Sequence, residues 1–146
     1  MKEFVNLIQV CYRVIILAMI TITNEDNKLT EAILGCAYNV HSALGPGLLE
    51  KTYQACLAYE LQKNGFVIQL EKSIPVIYGD VTIDAGFRLD MLVENRVIIE
   101  NKSIAKLLPI HSAQLMTYLR LSNISIGLLI NWNTLHLKDG IKRIAM

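Results

Sequence analysis

Three consecutive β-branched residues, Val97-Ile98-Ile99, run without a break into Glu100-Asn101-Lys102. Such an apolar run reads as the beginning of a buried central strand. Side chains two residues apart on a strand share a face, so Glu100 and Lys102 point the same way at its far end. A second run, Ile83 to Asp90, closes on an acid ten residues before Glu100. Charges at the ends of buried strands are costly unless they are paired or hold a cation. The fold must therefore place these strand ends where charges meet each other or a ligand.

The chain has 146 residues, enough for one domain with a real core. Hydrophobic residues make up 53% and charged residues 18%, which excludes disorder. The net charge is +1, so a nucleic-acid partner would be held by a local patch rather than by a global basic field. Cys11, Cys36 and Cys56 are odd in number and none sits at CxxC spacing. They read as reduced thiols of a cytoplasmic protein, with no zinc site. His41, His111 and His136 are isolated and form no ligand pair.

Residues 1–24 read as an N-terminal extension to a domain over 25–146. Val14 to Ile22 is almost wholly apolar, with Lys2 and Arg13 flanking it. The run is far shorter than the ~18 residues of a spanning helix, and no small-residue cleavage pattern follows. Three readings stay open: a targeting or anchoring segment, a stretch upstream of a true start at Met19, or an extra element packed on the domain. A membrane role is the least favoured of them.

Helical spacing of Ile33, Cys36, Ala37, Val40, Ala43 and Leu44 predicts a helix over 30–44, with Thr30 as N-cap after a polar break at 24–28. Gly45-Pro46-Gly47 stops it. A second helix over 48–64 has Leu49, Tyr53, Cys56, Leu57 and Leu61 as its stripe, and Gly65 as its stop. Glu50 borders that buried stripe, an unusual place for an acid. Strand signals follow at 66–72, at 76–78 and 81–83 around a Gly79-Asp80 turn, and at 87–93 and 97–102. Pro75 marks a sheet edge or a strand start. Pro109 suits the first turn of a helix over 109–122. A buried strand over 124–130 and a tail over 137–144 with an Asp139-Gly140 turn complete the chain. This order predicts an α/β fold, a mixed sheet flanked by helices.

Asp90 meets Glu100 only if the hairpin joining their strands is centred on Asn95. A two-residue turn would place Asp90 opposite Ile99, on the wrong face. A three-residue loop, or a bulge that restores the phase, is therefore predicted. With that phase Asp90, Glu100 and Lys102 converge. Two carboxylates ~5 Å apart repel by roughly 3 kcal/mol at an effective dielectric of ~20. A hard cation, Mg²⁺ or Mn²⁺, would relieve that repulsion, with the backbone carbonyl of Asn101 as a further ligand. Lys102 would hold a phosphate oxygen or the attacking water. Spacing alone also fits a solvated Glu-x-Lys ion pair.

Asp90 followed by Glu100-Asn101-Lys102 resembles the PD-(D/E)xK nuclease superfamily, and within it the GxxExxY protein family. Gly47-Leu48-Leu49-Glu50-Lys51-Thr52-Tyr53 fits the motif that names that family. The likeness continues through Arg88-Leu89-Asp90-Met91-Leu92-Val93, through Ala113 to Leu119 with its Gln-x-x-x-Tyr spacing, and through Gly127 to Trp132. The resemblance implies a restriction-endonuclease-like αβββαβ core and Mg²⁺-dependent hydrolysis of phosphodiester bonds in nucleic acid, DNA before RNA. It also implies that Glu50 joins Asp90, Glu100 and Asn101 at the metal, and that Gln114 and Tyr118 line the substrate cleft. The alternative is a nucleic-acid-binding or accessory module that keeps the fold without cutting. A two-fold homodimer would supply two sites for two strands. Two positions depart from the pattern: Leu89 stands where the superfamily's proline would precede Asp90, and Asn101 stands where an apolar residue is expected, which predicts a slightly less buried strand.

Overall fold

The computed structural model describes residues 22–146. Almost all of the N-terminal extension, including the start proposed at Met19, lies outside the described residues. Among these residues two helices come first, α1 (Asn24–Leu44) and α2 (Glu50–Lys63). Three strands follow, β1 (Ile68–Tyr78), β2 (Val81–Val93) and β3 (Val97–Lys102), then α3 (Pro109–Ser122), β4 (Ile126–Asn131) and β5 (Ile141–Ala145). From α2 to β4 the order is αβββαβ. Among the described residues the strands form one sheet in the order β1-β2-β3-β4-β5. Only β3 and β4 run parallel, joined by the α3 crossover.

The first helix begins six residues earlier than its apolar spacing suggests. Thr23 caps it: its hydroxyl accepts from Asp26 N, and the Asp26 carboxylate accepts from Thr23 N. Thr30 is not the cap but lies inside the helix, donating to Asp26 O. The polar stretch 24–28 is helical because its charges are used. Arg96, from the loop after β2, reaches Asp26 at 2.7 Å and Glu25 at 3.1 Å.

The sheet is covered on both faces. Ile33, Val40, Tyr53, Leu57 and Leu61 from α1 and α2 pack on Met91, Val97, Ile99, Leu128 and Trp132. On the other face Leu115, Tyr118 and Leu119 of α3 pack on Leu89, Leu92, Ile98 and Leu129. A Cβ at Gly127 would come within 2.8 Å of the Leu115 side chain, so the glycine lets α3 lie close on β4. β3 is central, and its Val97, Ile98 and Ile99 have no exposed surface.

One irregularity in the sheet sets the position of Asp90. Side chains on a strand alternate between faces, yet Leu89 packs on the α3 side and Met91 on the α1–α2 side. Facing therefore switches at Asp90. Its neighbour on β1 switches with it: the pairs Leu70↔Met91 and Lys72↔Leu89 continue on either side, while Glu71 between them has φ +51°. A further bulge at Pro75, between the pairs Ile74↔Phe87 and Val76↔Ile83, accommodates the proline on the sheet's edge strand.

Candidate active site

The β2–β3 connection is the three-residue loop Glu94-Asn95-Arg96, flanked by the pair Val93↔Val97. Glu94 and Asn95 take φ of +52° and +53°, a left-handed pair that the loop requires. The ladder has the phase centred on Asn95, but its pairing ends at Met91↔Ile99. Asp90 turns its side chain into the opening between the strands, where Oδ2 accepts from Asn101 N at 2.8 Å. The acid is thus fixed by a backbone donor of β3, not by a cross-strand pair with Glu100.

Glu100 is 4% exposed and shares the α3 face with Ile98. Its Oε1 accepts from Lys102 Nζ at 3.2 Å. Oε2 is fully buried and has no hydrogen-bond partner among the described residues. Burial, then the neighbouring Asp90 charge, raises the Glu100 carboxyl to about 7 against the pull of Lys102. Asp90 is raised as well, chiefly by burial, with the Asn101 N–H and Lys102 opposing.

Asn101 is fully buried, contrary to the expectation of a looser strand at this position. Its Oδ1 accepts from the Trp132 indole N–H at 2.9 Å, while its Nδ2 is buried without a partner among the described residues. Its N–H faces β2, and strand geometry puts its carbonyl on the same edge.

Glu50 opens α2 and is partly buried. Burial first, then the Asp90 charge, pushes its carboxyl up, while Lys102 and Lys51 pull it down. That mutual influence places Glu50 in the same electrostatic neighbourhood. Tyr53 positions it. The Tyr53 ring stacks on Trp132 with centroids 4.9 Å apart and planes 2° apart. The Tyr53 hydroxyl donates to Gly45 O and accepts from Leu48 N, tying down the loop that leads into α2. Ser103 Oγ holds the same loop through Leu48 O at 2.6 Å. Tyr53→Phe keeps the stack and loses both hydroxyl bonds, so denaturant unfolding should show a loss of about 1–2 kcal/mol.

Gln114 and Tyr118 bond to each other, Nε2 to Oη at 2.9 Å, one turn apart on α3. The Tyr118 phenol is raised by burial and then by the Glu100 charge, so the pair adjoins the acids. His111 is engaged structurally, its Nδ1 accepting from Leu108 N at 2.9 Å to cap α3. Lys142 and Arg143 bond Ser112 and Asn27 on the domain's own surface.

Residue spacing did not single out Gln54 and Glu71. Gln54 is buried one turn after Glu50, and its Nε2 donates to Glu71 Oε1 at 2.8 Å and reaches Asp90 O at 3.3 Å. The i+4 relation to Glu50 was the available signal; the turn-over of β1 at Glu71 left none.

A family profile for the PD-(D/E)XK nuclease superfamily matches residues 27–144. The chain belongs to the PD-(D/E)XK nuclease superfamily. Comparisons with curated proteins and with solved structures gave no match. The mixed sheet flanked by helices is that of a restriction-endonuclease-like fold, with the motif acids on β2 and β3.

Nucleases of this superfamily typically use divalent metal ions. Among the described residues, no three acidic, histidine or cysteine side chains are grouped closely enough to enclose an ion by themselves. Mg²⁺ does not need such a cage, since it keeps several waters and takes one or two carboxylates. The donors present fit that mode. Glu100 Oε2 is a buried acceptor with nothing donating to it, and Asp90 presents a second carboxylate beside the Asn101 carbonyl edge.

Proposed function

We propose that this PD-(D/E)XK protein is a metal-dependent nuclease that hydrolyses phosphodiester bonds, with Mg²⁺ or Mn²⁺ held by Asp90, Glu100 and the Asn101 carbonyl, and with Glu50 adding negative charge nearby rather than acting as a third carboxylate ligand. The observation that carries this reading is the unpartnered Glu100 Oε2, buried beside a second carboxylate that is itself fixed on Asn101 N. A cation would supply the partner that this buried acceptor lacks. When bound, the cation would polarise the phosphate and lower the pKa of an attacking water.

The chain's own residues do the rest. The Glu100 carboxyl, raised to about 7, would give up its proton on becoming a ligand. Lys102, anchored on Glu100 Oε1, presents positive charge where the phosphate gains negative charge. Gln114 and Tyr118 offer an amide and a phenol at the α3 side of the acids for orienting the substrate. Glu50 rides on a helix start that Tyr53 ties down through Gly45 O and Leu48 N. DNA is the first substrate to test, a two-fold homodimer would present two sites to two strands, and the free thiols of Cys36 and Cys56 suit the cytoplasm. Among the described residues no helix is long and apolar enough to cross a membrane.

The deciding experiment incubates the protein with linear and circular DNA, and with RNA, in EDTA, Mg²⁺ and Mn²⁺. Cleavage that appears only with the cation supports the nuclease. Salt-sensitive binding without cutting in any cation supports the second reading, a non-cleaving nucleic-acid-binding module.

A further inference from the structure

We infer that Glu71 is a positioning residue for Asp90, acting through Gln54; this rests on the nuclease reading. Asp90 lies where β2 switches faces, so no regular ladder pair fixes it. Two contacts hold it instead. Asn101 N donates to its carboxylate, and Gln54 Nε2 approaches its backbone carbonyl at 3.3 Å. The same Gln54 amide donates to Glu71 Oε1 at 2.8 Å.

The orientation of Gln54 is dictated by these acceptors. Turning the amide over would set Oε1 against the Glu71 carboxylate and the Asp90 carbonyl, three acceptors with no proton among them. Gln54 therefore keeps Nε2 toward them and leaves Oε1 buried without a partner among the described residues. A buried orphan acceptor is retained only where the opposite orientation is worse. Glu71 thus sets the direction of the amide that steadies Asp90.

The backbone adds an independent observation. Glu71 holds φ +51° inside a strand, a conformation that glycine adopts freely and glutamate does not. A position selected by backbone geometry alone would suit glycine better. Here the side chain supplies a part-buried link to the buried Gln54, whereas its ion pair with the mostly exposed Lys51 contributes little.

That contrast separates support of Asp90 from support of the fold. In Glu71→Gly the strained φ is relieved and the acceptor is lost. The full-length variant should melt within a few degrees of the parent. It should nevertheless need about tenfold more Mn²⁺ for half-saturation, as loss of an outer support for a metal ligand does. Trp132, the only tryptophan and bonded to Asn101, reports the titration by fluorescence. Independently of metal, the Asn101 amide should exchange its hydrogen about tenfold faster as Asp90 loosens. Glu71→Gln, whose amide oxygen can still accept from Gln54, should restore both values, and Gln54→Met should reproduce the glycine variant. Unchanged Asn101 exchange in Glu71→Gly and Gln54→Met, or a glutamine variant as impaired as the glycine one, overturns the inference. If the parent neither binds Mn²⁺ nor cuts, the nuclease reading fails, and Asn101 exchange alone decides the role of Glu71.

Discussion

Glu100→Gln is expected to abolish cation-dependent cleavage and, at pH 8, to melt about 10 °C above the parent protein. The sign follows from the raised carboxyl. Glu100 titrates near 7 when folded against 4.5 as an ordinary glutamate. The folded chain therefore holds the proton more tightly than the unfolded chain. Its stabilising effect is complete below about pH 4.5 and is lost as pH rises through about 7. Above that, the ionised and buried carboxylate costs on the order of 3 kcal/mol, about 10 °C for a domain of this size. Glutamine carries no charge to bury, so its advantage should fade on going from pH 8 to pH 5. Thermal melts at the two pH values check this, and equal shifts at both would refute it.

Cation binding should nearly cancel that difference. With Mn²⁺ at about a hundred times its dissociation constant, the parent should gain about 2.7 kcal/mol while the glutamine variant gains little. Apparent Mn²⁺ affinity of the parent should also weaken below about pH 7, as Glu100 takes up its proton. A pH-independent affinity between 5.5 and 8 would remove Glu100 from the ligand set.

The strand carrying Glu100 was legible because three β-branched residues lead into it, and a run of that kind finds burial in almost any sheet. The three-residue loop was legible from phase alone, since only one register lets the two acids approach. Helix α3 was read to the residue because Pro109 marks its first turn. The start of α1 was missed for a physical reason: Thr23 and Asp26 form the capping box, but the following polar turns bury little, and Arg96, which uses their charges, lies some seventy residues away. Asn101 was misjudged for a similar reason. Its burial depends on one indole N–H from the residue after β4, a partner that local sequence does not specify. The link from Glu71 through Gln54 to Asp90 was invisible because alternation reverses at Asp90, and strand periodicity assumes that it never does.

Asp90→Asn and Asp90→Ala should both reduce cation-dependent cleavage at least 10³-fold, yet separate in stability. Each removes one negative charge from the proposed cation site, which neither an amide nor a methyl replaces at a hard ion. Their difference lies in the Asn101 N–H, which is buried and donates at 2.8 Å to Asp90 Oδ2. The asparagine carbonyl can still accept that bond, whereas alanine leaves the donor orphaned inside the sheet. A buried donor without a partner costs about 1–3 kcal/mol, so the alanine variant should unfold more easily than the asparagine variant by that amount. Relief of the raised Asp90 carboxyl is common to both and cancels in the comparison. Urea unfolding of the pair, read beside their cleavage rates, tests the two roles of this side chain separately. Equal stabilities would mean that the Asn101 amide finds another acceptor, and surviving cleavage in the asparagine variant would mean that Asp90 is a strand clamp and not a ligand.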